Sequence, residues 1–122
     1  MAEKDLLGRA GEDRAARYLQ SLGYVVLDRN WRCAAGEIDL VVARANELVI
    51  VEVKTRRSER FGHPFEAIDA AKRVRLWRLS VAWTAQHRKQ ARGRHVRIDA
   101  IGVTGANPET AILEHLEDVD VV

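Results

Sequence analysis

Cysteine is nearly missing from this 122-residue chain, which also holds only two prolines and is 6% aromatic. The single thiol, Cys33, rules out an internal disulfide framework and leaves no second sulfur for a zinc ribbon, so a bound metal would have to sit on oxygen ligands. No apolar run reaches the ~18 residues that a membrane span needs. Residues 1–10 carry both charge signs where a secretory leader would have an apolar centre, so a cytoplasmic location without membrane attachment is expected. Basic side chains are absent from residues 98–122, which hold six acids, whereas residues 54–97 hold thirteen Lys and Arg against three acids. The overall charge of +2 therefore conceals three segments of −2, +10 and −6. Sixteen of the twenty basic residues are arginine, whose planar fork suits phosphate. Charge alone leaves two readings open: a polyanionic partner such as nucleic acid, or a solvated basic helix face partly neutralised by the acidic tail.

What is present suffices for one domain. At 13.8 kDa, folding removes roughly two thirds of the surface of the unfolded chain, and 47% hydrophobic with 31% charged residues fits a globular protein. Apolar residues recur at helical spacing over residues 5–22, with Gly23 as a stop. Residues 24–28 read as a short strand and 29–36 as a polar loop. Residues 37–44 and 47–55 are dense in Val, Ile and Leu, and only Ala45 and Asn46 separate them, so they read as a β-hairpin. Residues 55–63 read as a mobile, charged connection. Pro64 suits the first turn of a helix that runs to about residue 88. Its inward side would carry Ile68, Ala71, Leu79, Ala82 and Trp83, with Val74 and Trp77 broadening the stripe. Residues 95–103 alternate as a strand, 111–116 form a last short strand or turn, and 116–122 a weak acidic tail. The order αβββαβ, with a final β optional, predicts an α/β fold with a central mixed sheet flanked by helices.

The hairpin has a calculable consequence. With a two-residue turn at Ala45 and Asn46, opposed residues carry numbers that sum to 91, so Asp39 faces Glu52 and Glu37 faces Lys54. Alternation then puts Glu37, Asp39, Val41 and Ala43 beside Leu48, Ile50, Glu52 and Lys54, and leaves Ile38, Leu40, Val42, Val49, Val51 and Val53 on an apolar opposite face. Opposed Cβ atoms lie about 4.5–5.5 Å apart, within reach of one cation. Two acids facing each other repel in a poorly screened hairpin, and a divalent ion relieves that repulsion. Oxygen donors favour Mg2+ or Mn2+, and Lys54 stands one side chain along, able to orient a nucleophile or stabilise added negative charge. The alternative is a salt-bridge network in which Glu37 pairs with Lys54 and an arginine takes Glu52 or Asp39.

Asp39 and, after twelve intervening residues, Glu52-Val53-Lys54 resemble the Asp…(Asp/Glu)-x-Lys signature of the PD-(D/E)xK nuclease superfamily, with Ile38 in place of its proline. Gly11-Glu12, Gly23-Tyr24, Asn30-Trp31-Arg32, Gly36-Glu37, Thr55-Arg56 and Phe61-Gly62 surround that signature, and the pattern extends through Lys72 and Asp99. As a set they resemble the YraN family of predicted bacterial endonucleases over nearly the whole chain, and the layout is similar to archaeal Holliday-junction resolvases. The resemblance implies a single restriction-endonuclease-like domain over residues 1–122. It implies that Asp39, Glu52 and the Val53 carbonyl bind Mg2+ or Mn2+, that Lys54 acts on the attacking water, and that Glu12 approaches the metal from the side. For Glu12 the alternative is an exposed helix acid paired with Arg9. Glu37 is either a water-mediated ligand or the partner of Lys54, and Asp99 either a site residue or a structural acid.

Arg56, Arg57 and Arg60 follow Lys54 and are placed to meet phosphates, while Lys72 and its basic neighbours on the second helix either bind nucleic acid or solvate the helix. Trp31, Trp77 and Trp83 read as core rather than as base-stacking residues, and His63, His87, His95 and His115 have no catalytic spacing. The expected function is metal-dependent endonucleolytic hydrolysis of DNA, with branched or structured DNA and a homodimer following from the resolvase likeness. A catalytically inactive nucleic-acid-binding module is the second expectation, and a protein that docks a basic partner through its acidic tail the third.

Overall fold

Apolar alternation builds the centre of the fold from a meander of three strands. The computed structural model describes residues 3–119; the extreme ends of the chain, including part of the expected acidic tail, lie outside them. Helix α1 (Glu3–Ser21) precedes strands β1 (Val25–Cys33), β2 (Gly36–Arg44) and β3 (Glu47–Arg56). A 3-10 turn (Pro64–Ala67), helix α2 (Ala70–Gln86) and the single turn of α3 (Arg88–Ala91) cross over to β4 (His95–Thr104), and β5 (Ile112–Leu116) follows. The sheet order is β1-β2-β3-β4-β5, with β3 and β4 parallel and the other neighbours antiparallel. A parallel neighbour requires a long crossover, which α2 supplies. The result is a small α/β domain with a mixed five-stranded sheet.

Each face of the sheet receives one helix. Ala15, Ala16 and Leu19 of α1 pack on Leu40, Val42, Val49, Val51, Val53 and Ile101. Leu76, Leu79 and Trp83 of α2 pack on Val41, Ala43, Leu48, Ile50, Ile98 and Ala100. α1 ends in a Schellman motif: Gly23 takes φ +92, its N–H donates to the Gln20 carbonyl, and the Tyr24 N–H donates to Leu19. A Cβ at Gly11 would collide with the Thr55 side chain, so this glycine lets α1 lie directly on β3.

Several boundaries differ from the sequence reading. Residues 29–33 are strand, not loop: β1 is an edge strand whose outward residues are polar, which makes its end look like a connection. The second helix begins at Ala70, not near Pro64, because the Asp69 side chain caps it by accepting from the Lys72 N–H at 2.8 Å. Its inward residues are Leu76, Leu79 and Trp83, whereas Ala71, Val74 and Trp77 face outward and Ile68 is buried ahead of the helix. β3 continues through Arg56, so that arginine stands on the strand rather than in the following loop. α3 and the 3-10 turn have no counterpart in the expected order.

Candidate metal centre

The two-residue turn forms as its length predicts, with Arg44 opposite Glu47, Leu40 opposite Val51 and Ala45 at φ +51. Past Leu40 the β2–β3 ladder stops. The β1–β2 ladder likewise passes from Arg29–Leu40 to Trp31–Ile38 and skips Asn30 and Asp39, which would oppose each other. Asn30 adopts φ +52, a conformation Asn tolerates better than most residues. The irregularity also moves Ile38 into the α2-side core, away from Leu40, which corrects the simple alternation expected for it. Asp39 therefore sits where β2 is unpaired on both sides.

Its carboxylate fills the gap. Asp39 Oδ2 accepts from the Val53 N–H at 2.8 Å, a donor that the hairpin register would otherwise have given to β2 backbone. The Asp39 carboxyl also hydrogen-bonds Glu52, and burial together with that bond and the Glu52 charge pushes its pKa up to about 8. Burial alone would raise Glu52 too, but the bond from Asp39 and the ammonium groups of Lys72 and Lys54 outweigh it and hold Glu52 below the usual range. The two acids thus share one proton, which Asp39 holds because the lysines stabilise the charge on Glu52. Lys54 Nζ lies 3.6 Å and Lys72 Nζ 2.7 Å from Glu52 Oε2. That oxygen is buried, lacks a hydrogen bond of regular geometry and is paired by the two ammonium groups. Two buried carboxyls in hydrogen-bonding contact, one of them with an oxygen left over, are a donor set that suits a hard divalent ion.

Glu12 and Glu37 flank this pair. With its amide oriented to satisfy both, Asn30 donates to Glu12 Oε1 at 3.0 Å and Glu37 Oε1 at 3.2 Å. Burial raises the Glu12 pKa, and the Asn30 bond partly offsets it. Glu37 pairs with Arg32 at 3.2 Å rather than with Lys54, and Glu12 is held by Asn30 rather than by Arg9. The two acids, Asn30, Arg9 and Arg32 line a cleft of about 460 Å³. On the other side of the first turns of α1, Leu7, Thr55, Arg56, Arg57, Arg60 and Phe61 line another of about 450 Å³. Arg56 Nη1 donates to the Thr55 carbonyl at 3.1 Å, and Arg60 lies over the Phe61 ring.

Among the described residues one other cluster has metal-ligating groups together, Glu59, His63 and Glu114. His63 Nδ1 accepts from the Phe65 N–H, so the ring hydrogen sits on Nε2 and is donated to Glu114 at 2.7 Å. That arrangement ties the loop after β3 to β5 and leaves His63 no lone pair for an ion. Asp99 lies on the opposite face of the sheet from Glu52. It aligns with Val51 on the α1 face while Glu52 aligns with Ala100 on the α2 face.

Sequence reasoning brought Asp39, Glu52 and Lys54 together correctly. It did not assign a role to Asn30 or Phe61, nor place Lys72 against Glu52; the Asn30-Trp31-Arg32 and Phe61-Gly62 pairings in the motif set were the available signals.

Fold and site together define a small α/β domain with a mixed sheet and an acidic centre at a splayed hairpin. The chain belongs to the uncharacterised protein family UPF0102, whose family model matches residues 11–103. A UPF0102 protein of Paenarthrobacter aurescens is 51% identical over 119 residues, covering 98% of this chain and 97% of that protein. One of Streptomyces griseus is 45% identical over 119 residues, covering 98% and 99%. The family resemblance drawn from the motifs is borne out at that level. No helix among the described residues is long and apolar enough to cross a membrane.

Proposed function

We propose that the protein is a divalent-metal-dependent endonuclease that hydrolyses DNA phosphodiester bonds through a PD-(D/E)xK-type site. The observation that carries this reading is the convergence of Asp39 and Glu52 at the splayed end of the hairpin, with a buried Glu52 oxygen lacking a hydrogen bond and Lys54 alongside. Asp39, Glu52 and the Val53 carbonyl would hold the ion. In a strand the C=O of a residue points to the same side as its N–H, and the Val53 N–H points at Asp39. A bound Mg2+ or Mn2+ supplies charge neutralisation at the phosphoryl group and a water of lowered pKa.

The chain's own side chains do the rest. Lys54 orients the attacking water and offsets the negative charge that builds on the phosphate. Glu12 and Glu37, fixed by Asn30, border the approach. Arg56, Arg57 and Arg60 hold flanking phosphates, and the exposed Phe61 ring offers a stacking surface to an unpaired base. Branched or structured DNA is the substrate class this reading favours, presented to a homodimer with two sites.

The test is cleavage of four-way junctions, flaps and linear duplexes by purified protein with Mg2+ or Mn2+. Asp39→Ala and Lys54→Ala should each lower the rate at least about 10²-fold without changing the circular dichroism spectrum. Unchanged rates in either variant would overturn the assignment. Salt-sensitive binding with no scission in the wild-type protein would return it to a non-catalytic nucleic-acid-binding role.

A further inference from the structure

Lys72 is placed against a local rule. It occupies the third residue of α2, in the turn that Asp69 caps. Helix N-termini favour acids and disfavour cations, yet this first turn has no acid and carries Lys72 and Arg73. The side chain crosses to the sheet, where its ammonium lies nearer Glu52 Oε2 than that of Lys54 does, 2.7 Å against 3.6 Å. The Glu52 side chain is only 4% exposed and that of Lys72 24%. A compact positive charge therefore sits on the carboxylate oxygen that a metal would need. It also comes from a different element than the hairpin, so it can withdraw without disturbing the two acids.

We propose that Lys72 is the resident counter-cation of this centre: in the free protein its ammonium occupies the cation position at Glu52, and a divalent metal binds only by displacing it. The inference rests on the metal-dependent reading above and adds a regulatory element to it, because the lysine keeps the acids assembled without metal and sets the metal concentration at which the site loads. Lys72 is thus a positioning residue, distinct from Lys54, which stays beside the reacting atoms.

Titration of the full chain with Mn2+ alone, followed by calorimetry or by the loss of the free-ion paramagnetic signal, tests it without substrate. Lys72→Met should bind Mn2+ about tenfold more tightly than the wild type, equivalent to about 1.4 kcal/mol. Its metal-free melting temperature should fall, and Mn2+ should raise it by more than in the wild type. Lys72→Gln, which keeps a polar group beside Glu52, covers the case in which Lys72→Met does not fold and should show the same tightening. Lys72→Arg, which keeps the charge, should not tighten. A purely structural lysine would lower stability without raising affinity. If the wild type binds Mn2+ and the neutral variants bind no more tightly, this inference alone is overturned; if neither wild type nor variants bind, the metal-dependent reading falls with it.

Discussion

Glu52 on β3 and Asp99 on β4 are buried acids in adjacent strands, on opposite faces of one sheet, and the fold treats them differently. Asp99 receives Arg97 Nε at 2.8 Å and Nη2 at 3.0 Å, His115 Nε2 at 2.7 Å and the Asp118 N–H at 3.0 Å, so both oxygens are saturated. The network continues outward, with Arg97 donating to the Tyr24 hydroxyl and His115 Nδ1 meeting that of Tyr18. The bonds to Asp99 hold Arg97 above its usual range, and burial raises the Tyr18 phenol. Glu52 keeps one buried oxygen without a hydrogen bond, and its neighbour Asp39 carries a proton instead of a partner cation. The same chain that can fully satisfy a buried carboxylate leaves another incomplete. Incompleteness at Glu52 is therefore a property of that position rather than of the fold.

The same substitution at the two places should give opposite results. Asp99→Asn leaves a guanidinium and an imidazole facing a neutral amide in a dry site, and should lower stability by about 3–5 kcal/mol. Asp39→Asn keeps an oxygen for the Val53 N–H and supplies a permanent donor to Glu52, so it should not lower stability. Urea unfolding of both variants is the measurement. Similar losses at the two positions would mean that Asp39 is as structural as Asp99.

pH sharpens the contrast. Asp39 is raised from 3.8 to about 8, so between these values the folded protein holds a proton that the unfolded chain has lost. Stability without metal should therefore fall as pH rises from about 4 to 8, by at most about 1.4 kcal/mol per unit, and level off above. The lowered pKa of Glu52 acts in the opposite sense and only at acid pH, where stability is lost as that carboxylate protonates. Asp39→Asn should flatten the slope between pH 4 and 8. Saturating Mn2+ should do so as well, since the ion binds the carboxylate and releases the proton. A wild-type profile that rises through this window would contradict the shared proton.

Much of this centre could be read from the chain because hairpins obey simple rules. The spacing between residues 44 and 47 set the register as far as Leu40 and Val51, and the next residues along the two strands are Asp39 and Glu52. Ile38 defeated alternation because Asn30 and Asp39 leave the ladder together, and the left-handed conformation of Asn30 that accompanies this has no unique sequence signal. The polar tail of β1 looked like a loop because an edge strand is solvated on its open side. Lys72 could not be aimed at Glu52 while the helix start was drawn to Pro64; the Asp69 cap, which fixes the rotation of the first turn, competes with proline for the same role. Glu12 came from family likeness, and the close approach at Gly11 explains why a helix acid can stand beside a strand site.

The smallest effect extends the contrast from acids to aromatic rings. Trp83 is fully buried and its indole N–H donates to Asp28 at 3.0 Å, so its environment is closed. Phe61 is 91% exposed beside the cleft that Arg56 and Arg60 line, with no polar group of its own and little core to lose. Phe61→Ala should therefore change stability by no more than about 0.5 kcal/mol. A base stacked on the ring contributes about 1–3 kcal/mol, so affinity for a single-stranded oligonucleotide should fall roughly tenfold or more while Phe61→Trp preserves it. Duplex DNA presents no free base face to this ring, and its affinity should be unchanged by Phe61→Ala. Equal losses on single strands and duplexes would make Phe61 a support for the arginine loop rather than a surface for unpaired bases, and would remove the preference for structured DNA from the proposed activity.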